Sequence, residues 1–139
     1  VLEESMRLFP PAWSVGRRAI AEDEIGGFRI LPKTNVLIPI IYFHHSPEFW
    51  EAPEQFMPER FAPEKRNAID RFVYFPFGGG PRLCIGNHFA MLEMQIVLIH
   101  FYKHLSFKLS DSAVIEPEPL ITLRPRFGMP MRIHQRVSA

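Results

Sequence analysis

The apolar positions of this chain change period several times, and each change predicts a different element. Val1-Leu2-Glu3-Glu4-Ser5-Met6-Arg7-Leu8-Phe9 is rich in helix formers and stops at Pro10-Pro11. That predicts about two helical turns, well short of the roughly 12–15 residues a helix needs to be marginal alone, so the chain reads as starting inside a helix. From Trp13 to Ile20, apolar and charged residues mix as in extended backbone. Gly26-Gly27 predicts a turn, with short strands at Phe28–Leu31 and Asn35–Ile41. Between Glu48 and Pro76, the residues Pro53, Pro58, Pro63 and Pro76 stand among charges and aromatics. Such spacing forbids a long regular element and predicts a packed, irregular meander with about one helical turn. Phe77 to Gly86 is a glycine-rich loop. One long helix is predicted from Asn87 to about His104. Its apolar residues Phe89, Leu92, Ile96 and Ile99 are joined by Met91, Met94, Leu98 and Phe101 on further faces. A helix of that kind is expected to be buried in a larger body. In the tail, Leu120–Leu123 and Met129–Ile133 are predicted as paired strands joined by Arg124-Pro125-Arg126-Phe127-Gly128. There is no internal repeat and no low-complexity tract.

Composition narrows the class. A length of 139 residues predicts one domain, and 47% hydrophobic residues exclude a disordered or collagen-like chain. A net charge of +1 argues against a nucleic-acid binder or a polybasic membrane module. No run approaches the roughly 18 apolar residues of a spanning helix, and Val1 opens no charged n-region of a signal peptide. The single cysteine excludes an intrachain disulfide framework and any multi-cysteine zinc site.

That cysteine lies in Phe77-Gly78-Gly79-Gly80-Pro81-Arg82-Leu83-Cys84-Ile85-Gly86. Glycines let backbone approach a bulky ligand and take positive φ. Cys84 precedes a helix start, where free N–H groups and the helix dipole favour a thiolate. Arg82 could neutralise an anionic group beside the sulfur. A thiolate so placed is a metal ligand or a nucleophile, and His88, one helical turn on, could serve the nucleophile as a base. An inert buried thiol is the commonest fate of a free cysteine. Five fixed positions in F-x-x-G-x-R-x-C-x-G argue against it, since a chance match is on the order of one in ten thousand or rarer by average residue usage.

The decamer resembles the haem-binding signature of the cytochrome P-450 superfamily at every fixed position. Two further segments resemble the family in order and spacing: Glu4-Ser5-Met6-Arg7 as E-x-x-R, and Phe56-Met57-Pro58-Glu59-Arg60-Phe61 as F-x-P-E-R-F. Phe89-Ala90 and Glu93 follow its F-A-x-x-E pattern. The resemblance runs from Val1 to about Arg136. It implies a mainly α fold with small β-sheets, of which residues 1–139 would be the C-terminal third or so of a single domain. It implies haem b, iron protoporphyrin IX, with Cys84 as the proximal thiolate ligand that favours O–O cleavage. Arg82 would pair with a haem propionate, and Phe77 and Gly86 would shield and hydrogen-bond the sulfur. Gly78 and Ala90 would complete the loop and the helix under the haem. Arg17 stands where many members place a second propionate-binding arginine, with Arg18 a near alternative. Glu4, Arg7 and Arg60 would form a buried charge network. Ala12, Trp13, Ser14 and Val15, with Leu120, Ile121 and Thr122, fall where the family lines its substrate pocket. Ordinary core packing is an equal reading for Leu120 and Ile121.

The implied reaction is insertion of one oxygen atom from O₂ into a lipophilic small molecule. Two electrons would come from a reductase or a ferredoxin- or flavodoxin-type partner, with no nucleic-acid partner. Lys65, Arg66 and Arg71, clustered beside the cysteine loop, would steer that partner. A peroxygenase, an isomerase and a non-enzymatic haem sensor would share these motifs. The family's oxygen-activating helix would precede Val1, so the isolated polypeptide is expected to be inactive. The ending Arg136-Val137-Ser138-Ala139 shows no fused reductase and no retention signal, and the three-glycine loop slightly favours a cytoplasmic enzyme. Gly78-Gly79-Gly80 lacks the spacing of a nucleotide cradle. His100 and His104 lack the glutamate of a zinc protease. His44-His45-Ser46-Pro47 stands where the family often has His-Arg-Asp-Pro, and no catalytic role is assigned to either histidine.

Overall fold

The computed structural model describes residues 1–136; the chain end from Val137, on which the reading of the terminus partly rests, lies outside them. Helix α1 (Leu2–Leu8) carries Glu3 and Glu4 in its first turn and Arg7 in its last, which complements the helix dipole at both ends. Pro10 prevents continuation. Strand β1 (Val15–Arg18) pairs antiparallel with β4 (Asn35–Ile38). Between them β2 (Asp23–Ile25) and β3 (Phe28–Ile30) form a hairpin. Its turn residues Gly26 and Gly27 have φ of +59° and +82°, the pair of positive values that a two-residue hairpin loop of matching twist requires.

The expected strand through Ile41 stops at Ile38, and helix α2 (Ile40–His45) takes its place. Pro39 has no N–H to give a ladder, and the wholly buried Ile40 turns inward behind it. The meander is irregular as expected. It holds two short helical pieces, a 3₁₀ turn at Pro58–Phe61 and α3 (Pro63–Arg66). It also supplies the aromatic core: Trp50, Phe61 and Tyr74 are buried together, with Ile69 and Val73 against them. The Phe61 and Tyr74 rings are 4.7 Å apart, and the Trp50 indole donates to the Phe43 carbonyl at 3.0 Å.

Helix α4 (Asn87–His104) forms over the predicted span. The expectation of burial is not met within the described residues: Phe89 is 72% and Ile99 67% exposed. Among the described residues, Leu92 and Ile96 on this helix are also exposed. The tail corrects the predicted pairing. Strand β5 (Leu105–Leu109), continuous with α4, pairs with β8 (Met131–Gln135), while β6 (Pro117–Pro119) pairs with β7 (Leu123–Pro125). Leu120–Thr122 is therefore the bend of the β6–β7 hairpin and not a strand. Among the described residues four two-stranded sheets accompany four α-helices, so helix does not dominate this stretch as a mainly α fold would.

Candidate cofactor site around Cys84

The foundation of the site is the clasp on α1. Arg7 donates from Nε and Nη2 to the two carboxylate oxygens of Glu4 at 2.8 and 2.9 Å, the forked geometry that i,i+3 spacing allows. Its remaining donors reach the carbonyls of His44 at 2.6 Å and Gln55 at 3.2 Å. The Met57 N–H gives Glu4 a further bond of 2.9 Å. Arg60 brings Nε within 3.4 Å of Glu4 Oε1 but off the line of a hydrogen bond, and that nitrogen has no other partner. Its Nη2 is held by the Ala52 carbonyl. Burial opposes the charged form of Glu4, yet the Arg7 and Met57 hydrogen bonds and the charges of Arg7 and Arg60 hold its carboxyl below the usual range. The three residues singled out by E-x-x-R and F-x-P-E-R-F thus meet in one place, tying α1 to the meander.

The meander leads directly into the cysteine loop. Gly78, at φ +74°, donates its N–H to the Phe75 carbonyl at 2.8 Å. A side chain there would meet Val15 only at ordinary contact distance, so the backbone angle and not space calls for glycine. Gly80–Arg82 forms a 3₁₀ turn, and the Cys84 N–H donates to the Phe77 carbonyl at 3.0 Å. Gly86 then caps α4, and its carbonyl accepts from Ala90 at 2.8 Å. Cys84 is a free, exposed thiol at the start of the longest helix. Among the described hydrogen bonds none reaches its sulfur. A Cβ on Gly86 would lie 3.9 Å from Sγ, so Gly86 leaves the thiol's flank open.

Arg17, Phe77 and Gly78 share the wall of a cleft of about 890 Å³ with Val15, Met6 and His88. Cys84, Arg82, Gly86 and Ala90 lie outside that wall. The sequence favoured Arg17 and kept Arg18 as a near alternative. Successive side chains of β1 point to opposite faces, and Arg17 is the one that shares a wall with the loop. Arg17 donates to the Gly16 carbonyl, and neither it nor Arg82 meets a carboxylate among the described residues. The two expected pocket walls are joined: the Trp13 indole donates to the Leu120 carbonyl at 2.8 Å, and Leu123 N–H to the Pro11 carbonyl at 2.9 Å. Ala12, Ser14 and Val15 are half-buried beside this junction, whereas Ile121 and Thr122 are exposed. Of the three cations expected to steer a partner, Arg66 is tied down. It pairs with Glu3 at 2.7 Å and lies over the Phe61 and Tyr74 rings. Lys65 and Arg71 remain exposed.

His44 was given no catalytic role from the sequence. It is wholly buried, with Nδ1 3.2 Å from the Arg7 carbonyl and Nε2 accepting from Phe75 N–H at 3.1 Å. No spacing rule signals it, because both partners are backbone groups far away in sequence.

The donor set fits a haem. It offers one exposed thiol at a helix start, two arginines free of carboxylates, and a bare apolar flank in which Ile85 is fully exposed and Phe89 largely so. Sulfur, cations and apolar surface are the kinds of group that iron, propionates and a porphyrin face require. Comparison with known proteins gives the family: the cytochrome P-450 family model matches residues 1–130, and the chain belongs to that family. It is 42% identical over 130 residues to cytochrome P-450 132 of Mycobacterium tuberculosis, covering 92% of this chain and 28% of that protein. Similarity extends to cytochrome P-450 CYP72A616 of Paris polyphylla, at 41% over 97% of the chain and 26% of the relative. Human cytochrome P-450 3A7 is 40% identical over 92% of the chain and 24% of its own length. The chain therefore spans about a quarter of the length of these relatives.

Proposed function

We propose that residues 1–139 are the C-terminal, haem-ligating part of a monooxygenase that uses O₂ and two electrons to oxidise a lipophilic small molecule. The observation that carries the reading is the exposed Cys84 thiol, presented at the start of α4 by a loop whose backbone is pinned at Phe77 and Gly78. Haem held by a thiolate would supply the activation of O₂ needed to insert one oxygen atom into an unactivated bond. The chain's own residues would hold it. Cys84 would bind the iron through its sulfur, Arg82 and Arg17 would supply cations for its propionates, and Ala90 would offer it a small side chain. Phe77 and Gly86 would shield the sulfur. The Glu4–Arg7–Arg60 clasp holds the meander and hence the loop. Trp13 and Leu120 fix two mainly apolar segments, Ala12–Val15 and Leu120–Thr122, against each other, as the wall of a lipophilic pocket requires.

With the full-length protein, a reductase and ¹⁸O₂, one labelled oxygen atom is expected in the oxidised product. Turnover with label only from peroxide or water, or haem binding without turnover, would contradict the monooxygenase reading. Electron delivery is assigned to the face carrying Lys65 and Arg71, the exposed cations beside the loop. Reversing both charges is expected to slow reductase-driven reduction of the full-length protein at low salt. An unchanged rate under those conditions counts against that docking face.

A further inference from the structure

His44 is bonded at both ring nitrogens, and the partners fix its protonation. The Arg7 carbonyl can only accept, so Nδ1 carries the hydrogen; Phe75 N–H can only donate, so Nε2 is bare. Arg7 returns a bond of 2.6 Å to the His44 carbonyl, making the contact reciprocal. On the other side, Phe75 is the first residue of a short backbone relay. Its carbonyl accepts from Gly78 at 2.8 Å, and two residues on Phe77 accepts from Cys84 at 3.0 Å. The ring also stacks on Tyr74, with centroids 5.3 Å apart.

We infer that His44 is a positioning residue for the cysteine loop, its neutral ring linking the Arg7 end of α1 to Phe75 at the loop's entrance. A protonated Nε2 would set N–H against N–H at Phe75 and release that link. The charged and titratable groups facing the ring offer no counterion. Arg7 and, behind it, the fully engaged Glu4 come from α1; His45 lies on its own helix; the Tyr74 hydroxyl is directed to the Glu3 carbonyl. Burial, with the charges of Arg7 and His45, pushes the imidazole down to about 4 from its ordinary 6.5, against hydrogen bonds to backbone that favour the proton. Because the folded value lies below the free one, the link is at full strength above pH 6.5 and weakens as pH falls towards 4. Within that window, opening of the loop should become easier by up to about tenfold per pH unit.

The test is amide hydrogen exchange, corrected for intrinsic rates, in the peptide spanning residues 75–84 of the full-length haem-loaded protein. Wild type is expected to lose protection progressively below pH 6.5. His44→Gln, which keeps an acceptor but cannot titrate, should retain protection near neutrality and lose the acid slope. His44→Phe should be less protected at every pH. A flat wild-type profile, or an acid slope that persists in His44→Gln, overturns the inference, and the wild-type profile decides it if the variants do not fold. This arm is independent of the reading of Cys84 as haem ligand. A second arm rests on that reading: in His44→Phe the thiolate-ligated fraction of the Soret band should fall together with protection. Lost protection with a full thiolate signature overturns the positioning role.

Discussion

A carboxylate shut away from water remains an anion only if its oxygens are answered by donors, and Glu4 meets that condition with Arg7 and Met57. Arg60 adds charge from 3.4 Å without a hydrogen bond, so Arg7 is the stronger partner. Glu4→Gln leaves two guanidinium groups facing a neutral amide in a buried site. The expected loss is about 3–5 kcal/mol of stability in denaturant unfolding of the full-length protein. Because the Glu4 carboxyl is held below its free value of 4.5, its contribution is present above that pH and lost as pH falls through the lower folded value. Glu4→Gln should therefore also remove part of the acid slope of stability; equal slopes in variant and wild type would exclude a charged Glu4. Spacing alone made only the Glu4–Arg7 pair legible, three residues apart on one helix; Arg60 joined it through the family resemblance of its motif. His44 was not legible, because it works through the backbone of Arg7 and Phe75, and any sequence supplies a carbonyl and an N–H.

The elements divide in the same way. Positions where one residue type dictates the backbone were readable: Gly26-Gly27 made a hairpin turn, Pro10 ended α1, and the unbroken stretch from Asn87 to His104 made a helix. Strand partners were not. Alternation tells which residues can form a strand but not which strand will receive it, and the segment 124–128 looked like a hairpin loop. The actual partner of β8 is β5, and that ladder is extended at both ends by Ser110 N–H to Pro130 and Arg136 N–H to His104. The segments Ala12–Val15 and Leu120–Thr122 are joined by a contact that sequence did not hold, the Trp13–Leu120 bond across 107 positions. Trp13→Phe keeps an aromatic ring and deletes the donor. It is expected to cost about 1 kcal/mol and to speed amide exchange at Ile121 and Thr122. Unaltered exchange there would show that the hairpin bend is held by other contacts.

At the scale of the molecule, the chain is a tightly clasped region beside an uncovered one. Around Glu4, Arg7, His44, Trp50 and Tyr74, side chains and backbone are buried with their polar groups engaged. Around α4, Phe89, Leu92, Ile96 and Ile99 face outward although they are as apolar as any core. Exposed apolar surface on that scale marks a contact face, and the cytochrome P-450 relatives, roughly four times as long, have chain enough to cover it. Cys84 stands at the boundary of the two regions. Its backbone is anchored through Phe77 to the clasped side, and its helix runs out along the bare one. Reduced full-length protein exposed to carbon monoxide is expected to show a Soret band shifted far to the red, the mark of thiolate-bound haem, and Cys84→His should abolish the shift while haem is retained. An ordinary haem–carbon monoxide spectrum in the wild type, or a red-shifted band that survives in Cys84→His, would contradict thiolate ligation by Cys84.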